Sequence, residues 1–261
     1  MGIYKYITSS QPVLLDADLS TGANQTLSAG NNSSVDLGEL GSIDIECWGP
    51  GMSKPGSVAM VNGTGLVFST DGSGDPGTPG NDDWDDAGLD CPRVAIALAD
   101  LVALLPGSPT HSTSEHLRIR FYLSANDTGN AGDRSWFGIS SSDYSLRVFA
   151  GWRNFTGTTK VQGGNRDTGS AESYIPAITP AATRDVVELM LCGTSLTARW
   201  GTYSTGWPTT WPDGPHHCTL GQGANDDYAG GYLIIGLSPN GTTSNTLAIE
   251  RIEVTYGADD G

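Results

Sequence analysis

The chain has 261 residues and a formal net charge of −16, with 36 glycines, 14 prolines and 16% charged residues. Its 37% hydrophobic content is enough for a packed core, and the glycine and proline content favours short strands joined by turns. The negative charge excludes nucleic acid as a partner, because phosphate binding needs a basic face. The longest apolar run, between residues 94 and 105, is too short to cross a membrane.

The first 35 residues are predicted to form an N-terminal arm outside the folded domain. They are rich in Asn, Gln, Ser and Thr and show no packed pattern. Their large apolar side chains would each contribute roughly 1.5–3 kcal/mol if a neighbouring molecule buried them. We therefore expect an assembly contact in this arm, made by Ile3, Tyr4, Tyr6, Ile7, Val13, Leu14 and Leu15.

The first clear strand is Ile43–Cys47, where apolar and polar residues alternate. The run from Ser42 to Glu46 resembles the Glu-Ile-Asp-Ile-Glu strand of laminarinase-type glycoside hydrolases. The resemblance implies that Asp44 and Glu46 match the helper carboxylate and the acid/base of that strand. Ser42 stands at the nucleophile's place, and serine does not do that job in a retaining glycosidase. Chance alternation in an ordinary strand is therefore the favoured interpretation.

An acidic, glycine-rich segment follows between residues 71 and 86. Dense carboxylates on such a loop could supply the oxygen ligands that calcium prefers. The segment is not an EF-hand, because Pro76 occupies the place of the required turn glycine. A solvated acidic loop is the alternative. If calcium binds, the predicted ligands are Asp71, Asp75, Asp82, Asp83 and Asp85.

Residues 92–105 give the one helical signal, since they are rich in Ala and Leu and stop at Pro106. Their β-branched start leaves a strand followed by a short helical turn as the alternative. The four cysteines contain no C-x-x-C pair, which disfavours a zinc site. Cys47 and Cys192 lie in apolar strand-like runs and are predicted to be core thiols.

Strand signals separated by turn residues dominate the second half of the chain. From about residue 115 to residue 256 the pattern resembles the concanavalin A-like lectin/glucanase jelly roll. The resemblance implies an all-β fold of two curved antiparallel sheets. We therefore predict an antiparallel two-sheet jelly-roll sandwich over residues 36–261, preceded by the arm. The stretches that carry the resemblance are Glu115–Leu123, Asp185–Leu191, Leu196–Trp200, Tyr232–Leu237 and Ile249–Tyr256.

A cluster of aromatic residues indicates a possible glycan site. Sugar rings stack on exposed aromatic faces, and lectin-like sandwiches bind glycans at loops. Packing beneath the proline-rich loop or against a neighbouring subunit is the alternative. The candidate glycan-binding residues are Tyr203, Trp207, Trp211 and Tyr228.

Arginine outnumbers lysine ten to three, with several arginines on or near predicted strands. Arginine suits fixed planar pairs with carboxylates. In a chain with 29 acidic residues this favours ion pairs within or between subunits over phosphate sites. The arginines concerned are Arg118, Arg120, Arg134, Arg147, Arg153 and Arg199.

Together these features predict a non-enzymatic structural protein of a bacteriophage particle, as a capsid decoration, capsid-associated or tail component. Its partners would be copies of itself and other virion proteins. No secretory signal is visible, so we expect synthesis in a host cytoplasm and location in the virion. One alternative is a carbohydrate-binding module for host or environmental polysaccharide. A second is a polysaccharide-cleaving enzyme of the same superfamily. Calcium is the only cofactor that the sequence suggests.

Overall fold

The structure is a computed structural model. For residues 148–155, 158–165, 170–175, 195–203 and 216–219 it describes the course of the backbone and the strand register. The described residues are 13–48, 56–70, 92–110, 112, 114–126, 134–140, 148–155, 158–165, 170–175, 184–193, 195–203, 216–219, 230–238 and 244–258. In this part of the chain no helix is long and apolar enough to cross a membrane.

The described strands form two sheets in which every pairing is antiparallel. The first sheet has nine strands, and β1 (Val13–Asp18) pairs with the long strand β17 (Thr246–Ala258) beside the main path. The path itself runs in the order β15 (His216–Thr219), β14 (Ser195–Tyr203), β13 (Arg184–Cys192), β8 (Glu115–Asn126), β17 (Thr246–Ala258), β6 (Gly65–Thr70), β5 (Gly56–Val61) and β2 (Gln25–Thr26).

The second sheet has eight strands and packs face to face against the first. Four strands that are consecutive in sequence, between residues 134 and 175, form a meander of neighbours at one end of this sheet. The order is β12 (Ser170–Ile175), β11 (Thr158–Asn165), β10 (Val148–Phe155), β9 (Arg134–Ser140), β16 (Tyr232–Ser238), β7 (Arg93–Ala97), β4 (Ser42–Trp48) and β3 (Gly30–Asp36). The predicted all-β, two-sheet jelly-roll sandwich is confirmed.

The core lies between the two sheets and is built by strand alternation. In β8, every second residue from Leu117 to Leu123 is buried in it. Phe121 of β8 meets Phe137 of β9 across the sandwich, with ring centroids 4.9 Å apart. The predicted core position of Cys47 is confirmed, since burial, and then the charge of Glu46, raise the pKa of its thiol to about 12. Cys192, at the end of β13, is only half-buried.

The segment predicted as one helix is a strand followed by a short helix. Residues 93–97 form β7 in the eight-stranded sheet, and α1 covers only Leu98–Ala103. The β-branched residues Val94 and Ile96 point into the core, where pairing with β4 and β16 outweighs helix propensity. The alternative drawn from the β-branched start is therefore the correct one.

Residues 13–35, placed in the arm by the sequence, are part of the sandwich. Strand β1 pairs with β17, β2 with β5 and β3 with β4. Their fully buried core residues are Ala17, Leu19, Leu27 and Val35. The polar composition of this segment gave no strand signal in the sequence. Single apolar residues between polar ones are nevertheless enough to bury one face of a strand. A role of the preceding residues in assembly stays a prediction.

Candidate carbohydrate-binding face

The outer face of β9–β12, which is turned away from the other sheet, is the candidate site. Phe137 and Ile139 of β9 lie in the core, so alternation assigns the positions of Trp136 and Gly138 to the outer face. The register of β9–β12 then fixes which positions of the next strands lie beside them.

One cross-strand row on this face combines aromatic, amide and glycine positions. Trp136 is paired with Gly151, Gly151 with Gln162, and Gln162 with Tyr174. Four neighbouring strands make this row about 14 Å long, since strands lie about 4.8 Å apart. A glycine beside a tryptophan leaves space for a sugar ring above the backbone, and amide and phenol groups can bond sugar hydroxyls. We call these four positions the aromatic row.

A second row, two residues further along the same strands, carries only positive charge. Arg134 is paired with Arg153, and Arg153 is paired with Lys160. Ser238 of β16 continues the row on the other side of Arg134. We call Arg134, Arg153 and Lys160 the cationic row. These are three of the 13 basic residues in the whole chain.

The neighbouring part of the same face, on β7 and β16, is shielded from solvent. Arg93 and Ile234 are both 0% exposed, although they lie on the outer side of the sheet. Tyr232 and Glu46 are half-buried. A ligand on this face would therefore not reach Arg93 or Ile234 at the centre of the sheet.

The carboxylates that resemble the laminarinase strand lie on this same outer face, but on β4, three strands away from β9. Ile43 and Ile45 are buried in the core, while Ser42 and Asp44 are exposed on the other face of β4. Asp44 Oδ1 accepts a hydrogen bond of 2.8 Å from the backbone N–H of Ser34, whose φ is +51°. Asp44 thus holds an irregular turn of the edge strand β3, which supports the interpretation of β4 as an ordinary strand.

The outer face of the nine-stranded sheet carries a different row of charges, which alternate in sign. Register aligns Arg199, Glu188, Arg120 and Glu253 on four neighbouring strands, and we call these four the alternating row. The guanidinium of Arg120 bonds both carboxylates, through Nε to Glu188 Oε2 and through Nη1 to Glu253 Oε1 at 2.8 Å. Glu188 is fully buried and Glu253 is nearly so.

Strand β1 places a further carboxylate, Asp16, at the outer end of the alternating row. Asp16 lies beside Glu253 in register and bonds Arg251 through both carboxylate oxygens, at 2.5 and 2.6 Å. The Arg251 guanidinium lies 4.7 Å from the ring centroid of Tyr122, a cation–π contact. Tyr122 in turn donates its hydroxyl hydrogen to Glu253 Oε2 at 3.3 Å.

The pKa directions in this network follow from burial and opposite charge. Burial raises the pKa of Glu253, and Arg120 and Arg251 only partly oppose that rise. Burial alone would lower the pKa of Arg120, but Glu188 and Glu253 raise it above its usual value. The bonds of Arg120 to Glu188 and Glu253 therefore tie β13, β8 and β17 together, and the bonds of Arg251 to Asp16 add β1.

Most of the other predicted site residues lie outside the described part of the chain. Of the candidate glycan-binding residues, Tyr203 is described: it ends β14 and is paired with Arg184. Of the candidate assembly residues, Val13 is 57% exposed, and Leu14 and Leu15 pack against the core. Among the described residues, no group of three or more His, Cys, Asp or Glu could hold a metal ion. The predicted residues outside the description are Trp207, Trp211, Tyr228, Asp71, Asp75, Asp82, Asp83, Asp85, Ile3, Tyr4, Tyr6 and Ile7.

Sequence reasoning missed the aromatic row and assigned Arg134 and Arg153 to ion pairs. The four residues of the aromatic row are spread over 39 positions of sequence, from 136 to 174. Only the strand register brings them onto one line. The signal that could have found them is the repeated short strand with polar and aromatic residues at alternate positions between residues 134 and 175.

No protein-family model and no curated protein matches the chain. Solved structures do: a variant of an alginate lyase has a TM-score of 0.49 and 13% identity, over 91% of this chain and 98% of the other. The alginate lyase from Klebsiella pneumoniae has a TM-score of 0.44 and 11% identity, over 92% and 97%. An endo-β-galactosidase from Clostridium perfringens has a TM-score of 0.46 and 10% identity, over 97% and 65%.

The prediction that the chain is not an enzyme is contradicted by this comparison, because several of the similar structures are alginate lyases. Identities of 10–13% limit the likeness to the fold. We therefore infer the function of this chain from the residues of its own outer face on β9–β12. The bacteriophage virion as its setting stays a prediction.

Proposed function

We propose that the chain is a polysaccharide-cleaving enzyme that holds its polymer on the outer face of β9–β12. The observation that carries the proposal is the aromatic row, Trp136–Gly151–Gln162–Tyr174, in register across four strands. A polymer lying across the strands would meet a stacking ring, a position without a side chain, an amide and a phenol in turn. That sequence of groups suits sugar rings, which have apolar faces and hydroxyl edges.

The chemistry available on the row favours elimination over hydrolysis. Hydrolysis by the usual route needs two carboxylic acids beside the scissile bond, and the aromatic row contains none. Elimination breaks a C–H and a C–O bond, forms a C=C bond and passes a proton to the leaving oxygen. It needs a group that transfers a proton, for which Tyr174 is the candidate, and donors that stabilise developing negative charge, such as Gln162.

The experiment is a cleavage assay on a panel of polysaccharides, read in two ways. New reducing ends report any cleavage, and ultraviolet absorbance of the unsaturated sugar reports elimination alone. We expect both signals on at least one polymer. Tyr174→Phe keeps the ring and removes the hydroxyl, so it should lower turnover about 10²–10⁴-fold, as loss of a proton-transfer group does, while polymer binding remains.

The matched control is Tyr256→Phe on the nine-stranded sheet, where the hydroxyl donates to the carbonyl oxygen of Thr110 at 2.7 Å. Its removal should leave turnover unchanged. If new reducing ends appear without any unsaturated sugar, the reaction is hydrolysis and the proposed elimination is wrong. Binding without any product would favour a carbohydrate-binding module, and a protein that neither binds nor cleaves any polymer in the panel would contradict the proposal.

A further inference from the structure

We infer that the polymer bound on β9–β12 is anionic, and that the cationic row Arg134–Arg153–Lys160 binds its carboxylate or sulfate groups. The inference rests on the proposed function but is carried by a separate observation. The aromatic row argues for sugar rings whatever their charge. The cationic row, two residues away along each strand, argues for negative charge along one side of the same polymer.

Like charges directly opposite one another destabilise a sheet. Directly paired residues have Cβ atoms about 4.5–5.5 Å apart, and a like-charged pair at that distance costs a few tenths of a kcal/mol or more. The cationic row contains two such pairs in succession, Arg134 with Arg153 and Arg153 with Lys160. A ligand that places a negative charge beside each of these positions would offset the repulsion between the like charges and would itself be attracted to them.

The overall composition makes this concentration of positive charge uncommon in the chain. Acidic residues outnumber basic ones 29 to 13, and only three residues are lysines. A net charge of −16 repels an anionic polymer from the surface as a whole. A local basic row on one face would therefore direct such a polymer to this face and away from the rest of the molecule.

Anionic substitution also fits the elimination chemistry. A carboxylate beside the proton that leaves makes that proton more acidic when a cation or an amide neutralises the carboxylate. The cationic row and Gln162 lie on the same face and on adjacent rows. Guanidinium groups suit this task, because their planar donors match the two oxygens of a carboxylate.

The test uses matched polymers that differ only in charge. Polygalacturonate, alginate and hyaluronate are each compared with their neutral esters, and dextran sulfate with dextran. Affinity is measured for the wild-type chain, for Arg153→Gln, and for the triple change Arg134→Gln, Arg153→Gln and Lys160→Gln. The control is Arg251→Gln, which removes one positive charge from the opposite sheet.

We expect at least tenfold tighter binding of one anionic polymer than of its neutral partner. That preference should weaken with added salt, shrink in Arg153→Gln, and be lost in the triple variant, while Arg251→Gln retains it. The carboxylated and sulfated pairs show which anion is bound. Equal binding of a neutral and an anionic partner would overturn the inference and leave the proposed function standing. Binding to no polymer at all would overturn the proposed function itself.

Discussion

The two sheets carry their charges in opposite ways. On the nine-stranded sheet the alternating row places each carboxylate beside a guanidinium, and Arg120 bonds Glu188 and Glu253 together. On the eight-stranded sheet the cationic row places three positive residues side by side. Composition alone does not separate the two cases. The strand register decides whether neighbouring charges cancel within the fold or add up towards a ligand.

We infer from this difference that one face contributes to stability and the other to ligand binding. Within the alternating row, Arg120 joins three strands by bonding the buried carboxylates of Glu188 and Glu253, so the row acts as part of the structure. Breaking it should cost stability. The cationic row adds charge of one sign beside a row of aromatic and amide residues, so breaking it should cost binding.

The largest effect is expected from deleting the strand at the end of the alternating row. Removing residues 1–35 takes away β1 with Asp16, most of β3, and the core residues Leu19, Leu27 and Val35. We expect no folded protein, as judged by a cooperative thermal transition. Removing only residues 1–12 should leave the sandwich folded. A stable domain without residues 1–35 would show that β1 and β3 are dispensable.

The next effect is on the centre of the alternating row. Arg120→Ala would leave the nearly buried carboxylates of Glu188 and Glu253 without their shared partner. Loss of one partner from a buried ion pair costs about 3–5 kcal/mol. The matched control is Arg251→Gln, whose half-exposed pair with Asp16 should contribute at most about 1 kcal/mol. Urea unfolding of the two variants measures both values, and equal losses would contradict the ranking.

A smaller effect is expected from pH. The pKa of Glu253 is raised above 4.5 in the folded chain, chiefly by burial, so the folded state holds this proton more tightly than the unfolded state. Stability from this group should therefore fall as pH rises from about 4.5 through the raised value. Glu253→Gln removes the group. The difference in unfolding free energy between wild type and Glu253→Gln should decline over that window, and a rise would show that the arginines dominate.

The sequence predicted the architecture because strand alternation and turn residues are local signals. The runs Ile43–Cys47 and Leu117–Leu123 alternate in sequence as they do in burial. The same reasoning failed for residues 13–35, where the buried Leu19 and Leu27 stand alone among polar residues. It also favoured a helix at residues 92–105, where sheet pairing decided the conformation.

The candidate face could not be predicted, because it depends on register between separate strands. Gln162 and Tyr174 become neighbours only through the pairing of β11 with β12. Arg153 and Lys160 are each unremarkable in sequence, and they become directly opposite one another only through the pairing of β10 with β11. A shift of one residue in either pairing would send these positions to the other face.

The most direct test of the contrast between the two rows is one comparison of unfolding free energies at low ionic strength, without any polysaccharide. Wild type, Arg153→Gln and Arg120→Gln are unfolded by urea side by side. Arg153→Gln relieves repulsion from Arg134 and Lys160, so it should be as stable as wild type or more stable by about 0.2–1 kcal/mol. Arg120→Gln should be clearly less stable. If Arg153→Gln loses as much stability as Arg120→Gln, the cationic row is neutralised within the chain and the account of an external anion is contradicted.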